Sequence, residues 1–186
     1  MVSTRDQILE TTCHLIEAQG YHATGLKQIL EESGTPKGSL YYYFPDGKEE
    51  LTEEAIEKNS KLIEERIRMA LTGIADPAEA VRQFILNLAG YVEASGYQKG
   101  GPITTVALET ATTSERLSRA CERAYQAWQD AFRDKLLQGD YPVEEAVPLA
   151  NMIIASIEGG IILSRTYKSR ATMENIAQQI YTLLKR

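Results

Sequence analysis

The segment TGLKQILEESGTPKGSLYYYFPDGKEEL, Thr24 to Leu51, decides how this chain is read. Leu26, Ile29 and Leu30 recur at helical spacing and the pattern stops at Ser33-Gly34, which predicts a helix over about 25–32. Thr35 stands where an N-cap belongs. Pro36 follows at the first helical position, where a missing N–H costs nothing. The helix that starts there is short, because Pro45 follows Phe44. Leu40 and Phe44, one turn apart, face inward with Leu26, Ile29 and Leu30. Lys37, Ser39, Tyr41, Tyr42 and Tyr43 are then left at or near the outer surface. Asp46-Gly47-Lys48-Glu49 opens another helix, with Asp46 as its cap and Glu49 reaching back as in a capping box.

Upstream, Ile8, Leu9, Thr12, Leu15 and Ile16 line one side of a helix over about 5–19 that stops at Gly20. One longer helix followed by two short ones joined at a glycine turn has the dimensions of a helix-turn-helix. Outward tyrosines in a row leave apolar surface that solubility disfavours unless something covers it. Each offers a ring for a deoxyribose or thymine methyl and a hydroxyl for a phosphate. Gly38 removes a side chain where the helix would meet a partner backbone closely. The same string read as a solvated face of a plain bundle is the alternative; the turn spacing and the Thr35-Pro36 start weigh against it.

Helical periodicity continues to the end of the 186 residues. The fourth helix reaches about 72, and Asp76-Pro77-Ala78-Glu79 repeats the start signal for a fifth that turns Val81, Phe84, Ile85, Leu88 and Val92 inward. Further helices are predicted over about 103–112, 115–138, 143–168 and 171–185, giving an all-α, nine-helix chain. Apolar residues make up 43% and charged residues 25%, the balance of a folded globule rather than a disordered segment. The net charge of −6 removes whole-molecule attraction to nucleic acid, so any such contact needs a local patch. Cys13 and Cys121 form neither a disulfide framework nor a zinc signature, and His14 and His22 lack partners at metal-ligand spacing. Neither a metal nor a cofactor is expected. Nucleophile–histidine pairs and phosphate-binding glycine loops are missing too, which argues against an enzyme. The most apolar stretch, Met152 to Leu163, is shorter than the roughly 20 residues a membrane span needs and contains Glu158, so a soluble cytoplasmic protein is expected.

In the second half, Leu117, Cys121, Ala124, Tyr125, Trp128, Phe132 and Leu136 form one stripe. Such a stripe serves either as core or as the wall of a ligand cavity, and Phe84, Tyr91, Tyr125, Trp128 and Phe132 are candidates for the second role. Glu109 lies among apolar neighbours, as an ordinary carboxylate or as a polar group facing that pocket. Val147, Ile153, Ile154, Ile157 and Ile161, interrupted by Gly159-Gly160, exceed what one buried helix face requires. With Ile180 and Leu184 of the last helix, Ile153, Ile157, Gly160 and Ile161 predict a four-helix interface between two copies.

Thr24 to Leu51, with its Thr-initiated helix, Gly turn and Lys37-Gly38-Ser39-Leu40-Tyr41 run ending at Phe44, resembles the DNA-binding head of TetR-family transcriptional regulators. Gly20-Tyr21-His22-Ala23-Thr24-Gly25, Phe44-Pro45-Asp46-Gly47-Lys48-Glu49-Glu50-Leu51 and Gly101-Pro102-Ile103 leading to Ala107-Leu108-Glu109 are similar to its LmrA/YxaF-type branch. The Pro45-Asp46-Gly47 turn is one residue longer than the commoner family form. The resemblance implies a DNA-binding head over 1–50 and a ligand-binding and dimerisation body over 51–186. It implies phosphate contacts at Thr24, Thr35, Tyr42 and Lys48, and base-edge or groove contacts at Lys37, Gly38, Ser39, Tyr41 and Tyr43. It further implies a homodimeric repressor of a palindromic operator, released by a small apolar or aromatic effector. Residues 1–50 hold four basic residues (Arg5, Lys27, Lys37, Lys48) against eight acidic ones. A helical dimer that binds small molecules through its body and no longer reads DNA is therefore the alternative.

Overall fold

The computed structural model describes residues 3–101 and 103–185, and among them it contains nine helices and no strand. These are α1 Thr4–Gln19, α2 Leu26–Ser33, α3 Lys37–Tyr43, α4 Lys48–Thr72, α5 Pro77–Ala94, α6 Thr104–Thr110, α7 Glu115–Gln138, α8 Val143–Tyr167 and α9 Ala171–Leu184. Most boundaries fall where caps and breakers put them. The Ser3 hydroxyl accepts from the Asp6 amide at 3.1 Å, and Gly20 ends α1 at φ 91°. Asp76 caps α5 through the Ala78 amide at 3.0 Å, with Pro77 in its first turn.

Two starts differ from the sequence reading. Pro36, in extended conformation at φ −61° and ψ 144°, takes the cap position of α3. Thr35 is drawn into the turn instead, its hydroxyl 2.8 Å from that of Ser33. Gly47 at φ 81° delays α4 to Lys48, so Glu50 rather than Glu49 reaches back and accepts from the Asp46 amide at 2.9 Å.

The chain divides into two compact units that do not follow chain order. The first comprises Met1–Lys61 with Pro102–Ala124. Its core joins Ile8, Leu9 and Leu15 of α1 to Ile29 of α2, Leu40 of α3, Phe44, and Leu51 and Ala55 of α4. These are the α1, α2 and α3 faces that the periodicity predicted.

The second unit comprises Leu62–Gly101 with Tyr125–Arg186. Here α5 packs along α9 and against α8, burying Val81, Ile85, Ala89 and Val92 against Ile153, Ile157, Ile161, Met173, Ala177 and Ile180. A Cβ on Gly160 would lie 2.8 Å from Ile176 Cδ1 and 3.2 Å from Met173 Cγ, so this glycine serves the close approach of α8 to α9. That corrects the sequence reading of the interface. Ile153, Ile157, Gly160, Ile161, Ile180 and Leu184 are all buried inside their own chain, and of these only Ile180 lines an open groove at the surface among the described residues. The large apolar side chains that α8 and α9 leave exposed are Val143, Val147, Met152, Ile162, Leu163, Tyr167 and Leu183. By length and composition α8, at 25 residues, also meets the requirement for crossing a membrane, which the shorter stretch Met152 to Leu163 does not. Ile153, Ile154, Ile157 and Ile161 are buried in the packing of α8 with α5 and α9, while Ile162 is exposed.

The two faces of α3 set a stability contrast. Phe44→Ala, at a fully buried position, is expected to cost about 3–5 kcal/mol in denaturant unfolding. Tyr42→Ala, with 79% of the residue exposed, is expected to change stability by less than about 0.5 kcal/mol. A loss below about 1 kcal/mol for Phe44→Ala would contradict this assignment of faces.

Candidate nucleic-acid interface

The turn between α2 and α3 is built on Gly34 in the left-handed region (φ 64°, ψ 24°), with the Thr35 amide donating to Leu30 O at 3.3 Å. This closure fixes how α3 leaves α2. Leu40 and Phe44 then point into the head core, and the opposite side of α3 faces solvent. Tyr41 is 64% and Tyr42 79% exposed. Lys37 is exposed and makes no ion pair among the described residues. Around Gly38 no atom lies within 4 Å of where a Cβ would stand, so its side of the helix is open. Ser39 is half-buried, as is Tyr43, which packs on the head core while its ring meets Tyr42 edge-on at 4.9 Å.

The remaining expected phosphate contacts sit further inward. Thr24 is fully buried, its hydroxyl donates to Gly20 O at 2.7 Å and its amide to Tyr21 O at 3.2 Å. Neither donor is left for a phosphate, so Thr24 is a turn-building residue. Thr35 is buried with its hydroxyl against Ser33. Lys48 donates from Nζ to Tyr21 O at 2.6 Å and stands 4.1 Å from the Tyr21 ring centroid. Burial pulls the Lys48 ammonium below its ordinary pKa, against the raising effect of the Glu109 carboxylate.

The acidic character of residues 1–50 is partly answered by cations from later segments. Lys58 of α4 bridges Asp6 at 2.7 Å and Glu10 at 3.1 Å. Burial opposes the Lys58 charge, and these two carboxylates still hold its pKa above the ordinary value. Arg116 of α7 reaches Asp46 at 3.1 Å and Glu53 at 2.5 Å, and Arg123 bridges Glu53 at 2.9 Å and Glu57 at 2.7 Å. Burial raises Glu53, but the two arginines keep it below the usual carboxylate range. Arg5 pairs with Glu54, and Lys27 stands 3.6 Å from Glu31. Lys58, Arg116 and Arg123 escaped the sequence reading because their partners lie 48 or more residues away in the chain, a separation at which spacing carries no signal.

The residues considered for an effector pocket do not all gather in one place. Phe132 is fully buried and Phe84 meets its ring edge-on at 5.4 Å; Trp128 is buried beside half-buried Tyr125, ring centroids 5.5 Å apart. Tyr91 is half exposed. Glu109 belongs to the other compact unit, and its carboxylate is occupied there by the His22 amide at 2.8 Å. Burial pushes the Cys13 thiol up to about 12 and the Cys121 thiol up to about 11, so both are poor nucleophiles.

Residues 8–55 match the family model of bacterial regulatory proteins of the tetR family. Residues 77–179 match the C-terminal domain model of LmrA/YxaF-like transcriptional regulators. Two relatives from Bacillus subtilis (strain 168) align over nearly the full length. The uncharacterized HTH-type transcriptional regulator YxaF is 42% identical, covering 98% of this chain and 96% of its own. The HTH-type transcriptional regulator LmrA is 39% identical, covering 98% and 97%. Among solved structures, the reduced form of E. coli NemR superposes with a TM-score of 0.86 at 20% identity over 96% of both chains. A TetR regulator from Legionella pneumophila gives 0.84 at 22% identity, covering 100% of this chain and 99% of that one. These structural likenesses speak to the fold alone. With its helix-turn-helix turn, its outward α3 and both halves matched, this chain belongs to the TetR family of DNA-binding transcriptional regulators, in the LmrA/YxaF-like group, and is not an enzyme.

Proposed function

We propose that this regulator is a cytoplasmic homodimeric repressor whose two α3 helices enter successive major grooves of a palindromic operator. One observation carries the reading. On α3 the side chains that the core does not need are an unpaired lysine, two solvent-held tyrosines and a glycine with open space over it. Lys37, Gly38, Ser39 and Tyr41 face base edges, Tyr42 a phosphate, and Tyr43 supports them from the core side. Lys48 and Thr24 act one step back, by shaping the turn before α2. The functional head is residues 1–50, and the body, 51–186, carries effector binding and dimerisation.

Dimerisation is assigned to the exposed face of α8 and α9. Met152, Ile176, Ile180 and Leu183 line an open groove of about 570 Å³ together with Ser156, Thr172, Asn175, Gln179 and Thr182. Apolar side chains interspersed with hydrogen-bonding groups suit a self-complementary contact about a two-fold axis. A small apolar or aromatic molecule among Phe84, Tyr91, Tyr125, Trp128 and Phe132 then favours a conformer in which the two heads no longer match the operator. Taking operator occupancy from 99% to 1% requires about 5.5 kcal/mol of differential effector affinity.

Selection from a random duplex library at about 0.1 M salt tests the DNA reading. The wild-type chain is expected to enrich an inverted repeat and Tyr41→Ala to lose that enrichment while remaining folded. A folded wild-type dimer that enriches nothing would overturn it. The few free cations of the head give a shallow salt dependence, a log–log slope of about −4 to −7 per dimer. A slope beyond about −9 would mean ten or more phosphates are neutralised, more than this surface offers.

Sedimentation addresses the dimer. Wild type is expected to sediment as a dimer at micromolar concentration, and Leu183→Arg as a monomer of unchanged helicity. An unchanged dimer in Leu183→Arg would move the interface elsewhere.

A further inference from the structure

The segment Tyr21 to Gly25 joins α1 to α2, and three helices hold it through polar contacts. From α1, Gln19 Nε2 donates to Ala23 O at 3.0 Å. From α4, Lys48 Nζ donates to Tyr21 O at 2.6 Å. From α6, Glu109 Oε2 accepts from the His22 amide at 2.8 Å, and the His22 ring stands 3.4 Å from Glu109 O. The other carboxylate oxygen lies over Gly20, where a Cβ would collide with it and would meet Thr105 Cγ2 at 3.3 Å. Gly20 also has φ +91°, a conformation that favours glycine. The direction of α2 depends on this segment. The start of α2 has no side-chain cap, and Ile29 is its one fully buried residue, with Leu26 and Leu30 partly buried on the head core.

We propose that Glu109 is a positioning residue for DNA recognition. By holding the His22 amide and fitting over Gly20, it lets α6 set the direction in which α2, the Gly34 turn and α3 present Lys37 and Tyr41. This deepens the reading of α3 as the DNA-contacting surface and rests on it. Glu109 itself touches no DNA. Its role differs from the pocket carboxylate that the sequence pattern offered, because the carboxylate is engaged inside the unit that carries the head.

The test compares wild type, Glu109→Ala and Glu109→Gln as full-length chains. Amide exchange at His22 is read by NMR, and affinity is measured for the duplex that wild type enriches from a random library. In Glu109→Ala the His22 amide is expected to exchange like an exposed one while Leu9 and Ile16 keep their protection. Duplex affinity should fall roughly tenfold, the scale of one lost hydrogen bond to a charged group. Glu109→Gln retains an oxygen that accepts from His22 and should stay within about threefold of wild type with the amide protected. Unchanged affinity in Glu109→Ala would overturn the proposal, as would a loss of affinity without faster exchange at His22 or an equal loss in Glu109→Gln. Should wild type enrich no duplex, the DNA reading falls and the positioning role falls with it. The exchange arm would still report whether Glu109 holds the turn, which separates the two failures.

Discussion

Burial of Leu40 and Phe44 is the constraint on which the recognition surface depends. A helix of seven residues has no stability of its own in water, because nucleation consumes most of what so few hydrogen bonds return. α3 exists because these two side chains complete a core with Ile8, Leu9, Leu15 and Ile29. Once they are inside, the 3.6-residue period leaves Lys37, Gly38, Tyr41 and Tyr42 no choice but to face outward. The exposure of two tyrosines, costly for solubility on a free surface, follows from the same packing that makes the helix possible. Recognition and folding therefore share one helix with a clean division between its faces.

Electrostatics is arranged less locally. Residues 1–50 are net negative, yet carboxylates near the head are engaged by Lys58 and Arg116, which come from outside that segment. Such half-exposed pairs contribute little to stability one by one. Their effect on a polyanion is more direct, since each engaged carboxylate repels a phosphate less than a free one. Lys37, on the outer face of α3, makes no ion pair among the described residues, while Lys48 is turned toward Tyr21. A cation used to shape a turn and a cation offered to a ligand thus look alike in a sequence and differ in the fold.

Particular residues show how far the sequence was legible. The inward faces of α1 and α3, the Asp76 cap and all nine helices followed from periodicity and breakers, because those signals are local. Thr35 lost the cap of α3 to Pro36, and Glu50 replaced Glu49, because the backbone angles at Pro36 and Gly47 shift the helix starts by a residue or two. α8 is less legible for a different reason. It is apolar around much of its circumference, so its sequence does not say which isoleucines meet α5 and α9 and which side remains open. Glu109 and Thr24 were the hardest to place, since their partners, the His22 amide and Gly20 O, are backbone atoms of a turn whose path depends on three helices at once.

The central claim is that α3 turns its tyrosines to DNA while its leucine–phenylalanine side builds the head. Fluorine NMR of the chain labelled with 3-fluorotyrosine, titrated with the duplex it selects, reads this position by position. The account predicts that the Tyr41 and Tyr42 resonances shift on binding while that of buried Tyr141 does not. Binding that leaves Tyr41 and Tyr42 unmoved would contradict it.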